Sequence, residues 1–125
     1  MIAYVKLNRD DSNEDVKKYL CAQCGTLITT SSSTVKLNGA ENHSFVNPSG
    51  IQCNFMTFGH CENVVAHEDL FLEHSWFAGY GWRFLLCGIC FQHLGWKYDG
   101  LNARTNPETF FGILVGAVLE FSADH

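Results

Sequence analysis

Cys21-Ala22-Gln23-Cys24-Gly25 and Cys87-Gly88-Ile89-Cys90 decide the fold of this chain of 125 residues. Two residues between thiolates let one tight turn aim both sulfurs at one point. Two such knuckles complete a tetrahedral shell of four sulfurs. Cys21, Cys24, Cys87 and Cys90 are therefore read as the ligands of a single Zn2+. A closed shell keeps no position for water, so this zinc is expected to be structural rather than catalytic. It would tie the two ends of a core together and supply folding free energy. Two disulfides or free buried thiols are the weaker reading of the same residues. His93, which follows Cys90 closely, is read as an ordinary strand histidine and not as a substitute ligand.

Between and beyond the knuckles the chain is a series of short apolar runs. Ile51 to Phe58 is apolar on both faces, and Val64-Val65, Trp82 to Leu86, Phe91 to Tyr98 and Phe110 to Leu119 follow. Asn38-Gly39, Asn47-Pro48-Ser49-Gly50, Gly79-Tyr80-Gly81 and Asp99-Gly100 are turn signals that separate them. Short, closely spaced strands rich in aromatics predict an antiparallel all-β domain. Phe110 to Leu119 reads as one buried strand, and Thr29 to Thr34, Ser and Thr throughout, as a loop or a polar strand edge. Only Asp10 to Leu20 carries a helix signal, enough for a turn or two. The charged, Ser/Asn-bearing composition of Asn8 to Lys18 predicts a flexible leader over 1–18 and one domain over 19–125.

Composition removes several function classes. The formal net charge is −5, with eight basic residues and no basic cluster, so a nucleic-acid partner is not expected. No apolar stretch approaches the length that spans a bilayer, so no membrane partner is expected either. The N-terminus has no signal-like apolar segment, which leaves the compartment open between the cytoplasm and secretion with a removed leader. Cys53 and Cys61 remain outside the knuckles, and a disulfide and two buried thiols are equally good readings. Asn42-His43-Ser44 matches a glycosylation sequon, a pattern that also arises by chance.

The aromatic load of ten Phe, four Tyr and three Trp asks for either a core or a lined site. On a strand from Phe91 to Tyr98, Trp96 and Tyr98 point to the same face. Trp76 and Trp82 bracket the Gly-punctuated loop Phe77-Ala78-Gly79-Tyr80-Gly81, which can fold back on itself. Three indoles and a phenol can thus converge. Packing of the tryptophans in a plain core is the competing reading.

These residues carry a family resemblance. Glu73-His74-Ser75-Trp76-Phe77-Ala78-Gly79-Tyr80-Gly81-Trp82 resembles the pocket segment of the cereblon-type thalidomide-binding (CULT) domain. Cys87-Gly88-Ile89-Cys90-Phe91-Gln92-His93-Leu94-Gly95-Trp96-Lys97-Tyr98 is similar to the segment that follows it there. Phe45-Val46-Asn47-Pro48 resembles the loop over the pocket, and Thr109-Phe110-Phe111-Gly112 the closing strand. The likeness is to the single-domain bacterial or secreted members. It implies a β-tent, two antiparallel sheets leaning together with the zinc near the apex. It implies a cage of Trp76, Trp82 and Trp96 for glutarimide and related cyclic imides. The implied binding set is Asn47, His74, Ser75, Trp76, Trp82, Trp96 and Tyr98. In it His74 and the backbone around Trp76 bond the imide edge, Tyr98 closes the floor, and Asn47 lies on the covering loop. Ser49 departs from the histidine of the receptor form.

The expected partner is a small cyclic imide, a uracil-type base with the same edge, or a protein end that has closed to such a ring. A flat ring stacks on indoles, and its N–H and carbonyls need partners once water is excluded. No ubiquitin-ligase docking domain is expected in this chain. An enzyme is the first rival. The related methionine sulfoxide reductases need a cysteine after the second knuckle, and none follows Cys90. Cys61 beside His60 is poor geometry for a nucleophile and base, since strand neighbours face opposite ways. The second rival is a cage for a methylammonium cation such as methylated lysine, with Glu68, Asp69 and Glu73 nearby in sequence.

Overall fold

The computed structural model describes residues 16–122. They form nine strands: β1 (Lys17–Cys21), β2 (Leu27–Thr30), β3 (Asn42–Val46), β4 (Gln52–Phe58), β5 (Val64–Ala66), β6 (Tyr80–Cys87), β7 (His93–Gly100), β8 (Thr109–Leu114) and β9 (Val118–Ser122). The first sheet has the order β2-β1-β9, the second β3-β4-β8-β7-β6-β5, and every pairing is antiparallel. The expected all-β architecture of two antiparallel sheets is what the chain adopts.

Each face of the six-stranded sheet carries a buried core, and the register explains how. Residues directly opposite on neighbouring strands share a face. Phe58, Leu85 and Ile113 lie on one face and meet Tyr19, Cys21, Ile28 and Val118 from the small sheet. Cys53, Phe55, Trp96, Tyr98 and Phe110 lie on the other, under a cover that includes Phe77. This is why Ile51 to Phe58 reads as apolar on both sides. Phe55 and Thr57 serve one core, while Phe58 serves the other.

Three readings of local structure need correction. Phe110 to Leu119 is not one strand. β8 ends at Leu114, a 3-10 turn covers Val115–Ala117, and β9 continues in the other sheet. Gly116 sits in that turn, where the chain changes sheets. Lys17 to Leu20 belongs to β1 rather than to a helix, and its strand begins two residues before the predicted domain start at 19. The remainder of that helix reading lies outside the described residues. Phe91 precedes the strand that was to begin with it. It adopts φ 64° in the turn after Cys90, and β7 starts at His93. Between the two readings left open for Cys53 and Cys61, the structure has two buried free thiols, which lie in different cores.

The two knuckles meet as their spacing requires. Cys21 closes β1, Cys87 closes β6, and Cys24 and Cys90 follow each in a turn. The four sulfurs lie within 4.8 Å of one another, with Cys21–Cys90 and Cys24–Cys87 at 3.6 Å each. A tetrahedral zinc with bonds of about 2.3 Å places its sulfurs roughly 3.8 Å apart, so the donor set fits. Burial alone would raise the Cys87 thiol, but the N–H groups of Cys90 and Ile89 together with the Cys24 and Cys90 thiols outweigh it and bring it down to about 7. A thiolate is the form that binds metal. Gln92 braces the cluster, its Oε1 3.9 Å from Cys21 Sγ and its Nε2 donating to the Ala117 carbonyl at 3.0 Å.

One zinc per chain is expected, with Cys21→Ser or Cys87→Ser losing both the metal and the cooperative unfolding transition. Cys61→Ser should keep both, which metal analysis and circular dichroism will check. The acid side of stability is also predictable. His43 and His93 are held below the ordinary histidine range, chiefly by burial. Below about pH 6.5 the unfolded chain then binds more protons than the folded one. Their contribution should be complete above that pH and fall away beneath it. Urea titrations at pH 7.5 and 5.5, with zinc saturating, should show a shallower decline in a His43→Phe/His93→Phe variant.

Candidate ligand pocket

The pocket grows out of the β6–β7–β8 register. Trp82 pairs with Tyr98 and Phe84 with Trp96, so these four share one face. Across β7, Trp96 meets Gly112 and Tyr98 meets Phe110. A Cβ on Gly112 would stand 2.9 Å from the Phe55 ring, so only glycine lets that ring lie flat on the sheet. Gly95 is equally fixed. It has φ 149°, and a Cβ there would meet the Gly112 carbonyl at 1.9 Å. The close approach of β7 and β8 beside Trp96 depends on it.

The loop after β5 supplies the third indole. Phe71 and Trp82 exchange backbone hydrogen bonds of 2.8 and 2.9 Å. Arg83 latches this loop. It donates to the Glu68 carbonyl at 2.6 Å and pairs with Asp99 at 2.7 Å. Trp76 then lies flat on Phe45 and Phe55, with centroids at 5.2 and 5.6 Å, and stands edge-on to Trp96 at 5.3 Å. Trp82 stacks on Phe71 at 4.7 Å, and its Nε1 donates to the Glu73 carbonyl at 2.8 Å. Trp76 and Trp82 are thus braced by rings that do not line the cavity.

The resulting cavity is about 460 Å³ and overwhelmingly apolar. Of the residues that the family resemblance implies, Trp76, Trp82, Trp96, Tyr98, His74 and Asn47 line it. Ser75 does not. Its Oγ turns back on Phe77, donating to the carbonyl at 3.0 Å and accepting from the N–H at 3.3 Å. Asn47 lines the cavity from the turn it closes, its Oδ1 accepting from the N–H groups of Ser49 and Ile51 at 3.0 Å each. His74 adopts φ 61°, a left-handed conformation rare outside glycine. Strain of that kind tends to collect at functional loops. The peptide groups of His74 and Trp76 have no hydrogen-bond partner among the described residues.

Sequence reading missed part of the wall. Cys53, Phe84 and His93 also line the cavity. His93 is more than a strand histidine: it stands edge-on to Trp96 at 5.5 Å and bonds the Gly95 carbonyl at 2.9 Å. Period-two alternation from Trp82 points to Phe84. Cys53 emerges only from the β3–β4 pairing, where it faces Phe45. No carboxylate side chain lines the cavity among the described residues.

Known proteins are similar to this chain in sequence. A family described as Yippee zinc-binding/DNA-binding/Mis18, centromere assembly, matches residues 18–123. Protein cereblon of Drosophila melanogaster is 41% identical over 112 residues, which are 84% of this chain and 18% of that protein. Protein cereblon of Gallus gallus is 34% identical over 101 residues, 79% of this chain and 23% of that protein. This chain therefore corresponds to less than a quarter of those relatives' length. The paired knuckles, the two-sheet fold and the tryptophan-bearing segments all fall within the matched span. The chain belongs to the Yippee-Mis18 family of zinc-binding domains, and within it is a cereblon-type, CULT-like domain.

Proposed function

We propose that this domain is a binding module for flat cyclic imides and not an enzyme, with zinc as scaffold and the three-indole pocket as the site. The observation that carries this reading is the pairing of an apolar box with unpartnered peptide groups at its rim. Trp76, Trp82 and Trp96 offer surfaces for a flat ring. The His74 and Trp76 peptide groups offer a carbonyl and an N–H with nothing else to bond. An imide edge carries one N–H between two carbonyls, and desolvating it without partners is costly. Ligands of this type include glutarimides, uracil-type rings and protein ends closed to a cyclic imide.

The wall chemistry supports binding over catalysis. Burial pushes the Cys53 thiol up, which keeps it protonated and a poor nucleophile. It also favours a neutral ligand over a cation. Methylammonium cages gain from nearby carboxylates, and the wall residues bring aromatic, aliphatic and amide groups instead.

A thalidomide titration followed by tryptophan fluorescence should saturate. Trp82→Ala should weaken it by at least about tenfold, roughly the 1.4 kcal/mol that loss of one stacking wall represents. Circular dichroism must show that the variant keeps its fold. Saturation by a trimethyllysine peptide, with none by thalidomide, would replace this reading with the cation cage.

A further inference from the structure

The base of the pocket holds a polar group that the fold leaves unsatisfied. Tyr98 is 2% exposed, and its hydroxyl has no hydrogen-bond partner among the described residues. Its ring is held by apolar neighbours, stacked on Phe110 at 4.7 Å and edge-on to Phe77 at 5.0 Å. Tyr98 and Cys53 both line the pocket, and the Cys53 thiol donates to the Ile51 carbonyl at 3.7 Å. Trp96, 9% exposed, likewise has an indole N–H with no such partner. The same sheet shows what a satisfied buried tyrosine looks like: the Tyr80 hydroxyl donates to the Pro107 carbonyl. A buried hydroxyl without a partner is costly, so such a group calls for an explanation. A phenylalanine would pack here equally well and avoid the cost.

We propose that the Tyr98 hydroxyl forms a polar floor that selects six-membered cyclic imides carrying a second ring N–H. Uracil and 5,6-dihydrouracil are of this type, whereas glutarimide has a methylene at that position. This selectivity rests on the imide reading of the pocket. With the imide edge at the His74–Trp76 rim, the ring edge away from it reaches the floor. A ring N–H there donates to Tyr98 Oη, which keeps its own proton free for a ligand carbonyl. A methylene leaves the hydroxyl as unsatisfied as before. The imide edge is nearly symmetric, so the ring can enter with its N–H inward.

Glutarimide and 5,6-dihydrouracil differ by one ring CH2 against N–H, and are the probes to titrate by calorimetry. The wild-type chain should prefer dihydrouracil by about five- to tenfold, the worth of one hydrogen bond in such a site. Tyr98→Phe should abolish that preference, bringing the ratio of the two affinities to about one whatever happens to either affinity alone. The variant removes a hydroxyl that no described residue bonds, so its melting temperature should hold or rise. Equal affinities in the wild type, or a preference that survives Tyr98→Phe, would overturn the polar floor and leave the imide pocket standing. Failure of both probes to bind the zinc-loaded chain would overturn both.

Discussion

Everything in this molecule depends on four sulfurs held within bonding distance of one metal. Cys21 and Cys24 belong to the small sheet, and Cys87 and Cys90 to the end of the large one. Without a cation, four thiols in van der Waals contact contribute little. With one, the cluster supplies a folding free energy that a core of this size struggles to reach alone. The cluster also fixes a direction. β6 and β7 are joined through the second knuckle, so its geometry sets how Trp82 and Trp96 are presented across the hairpin. A structural metal thereby acts on a ligand site that it does not touch.

The second constraint is the two-sided sheet. One face meets the zinc-side core and the other carries aromatic side chains with no second sheet to cover them. The latched loop supplies a partial cover through Trp76 and Phe77, and what it leaves uncovered is the pocket. The cavity is therefore a consequence of architecture: a large apolar face capped by a loop too short to seal it. Two glycines on β7 and β8 make the face flat enough for stacking.

Much of this was legible in residue order. Ligand spacing named the zinc cluster, and period-two alternation put Trp96 and Tyr98 on one face. The family likeness of the loop segments then brought Trp76, Trp82, His74 and Asn47 to the same place. What was hidden depends on long-range pairing. Cys53 reaches the wall only because β3 and β4 form a hairpin whose register no local pattern declares. Ser75 was lost for the opposite reason, since a short polar side chain satisfies its own loop before any ligand. The run from Phe110 to Leu119 misled because apolar composition does not record that a chain changes sheets at a glycine.

The central claim is that three indoles form the walls for a neutral imide. The most direct test follows their side-chain N–H signals by nitrogen-15 correlation spectroscopy while succinimide or glutarimide is added to the zinc-loaded chain. The account predicts that the Trp76, Trp82 and Trp96 signals all shift along one saturable curve, with backbone signals of His74 and Trp76 moving in step. Indole signals that stay in place while the ligand is in large excess would contradict it.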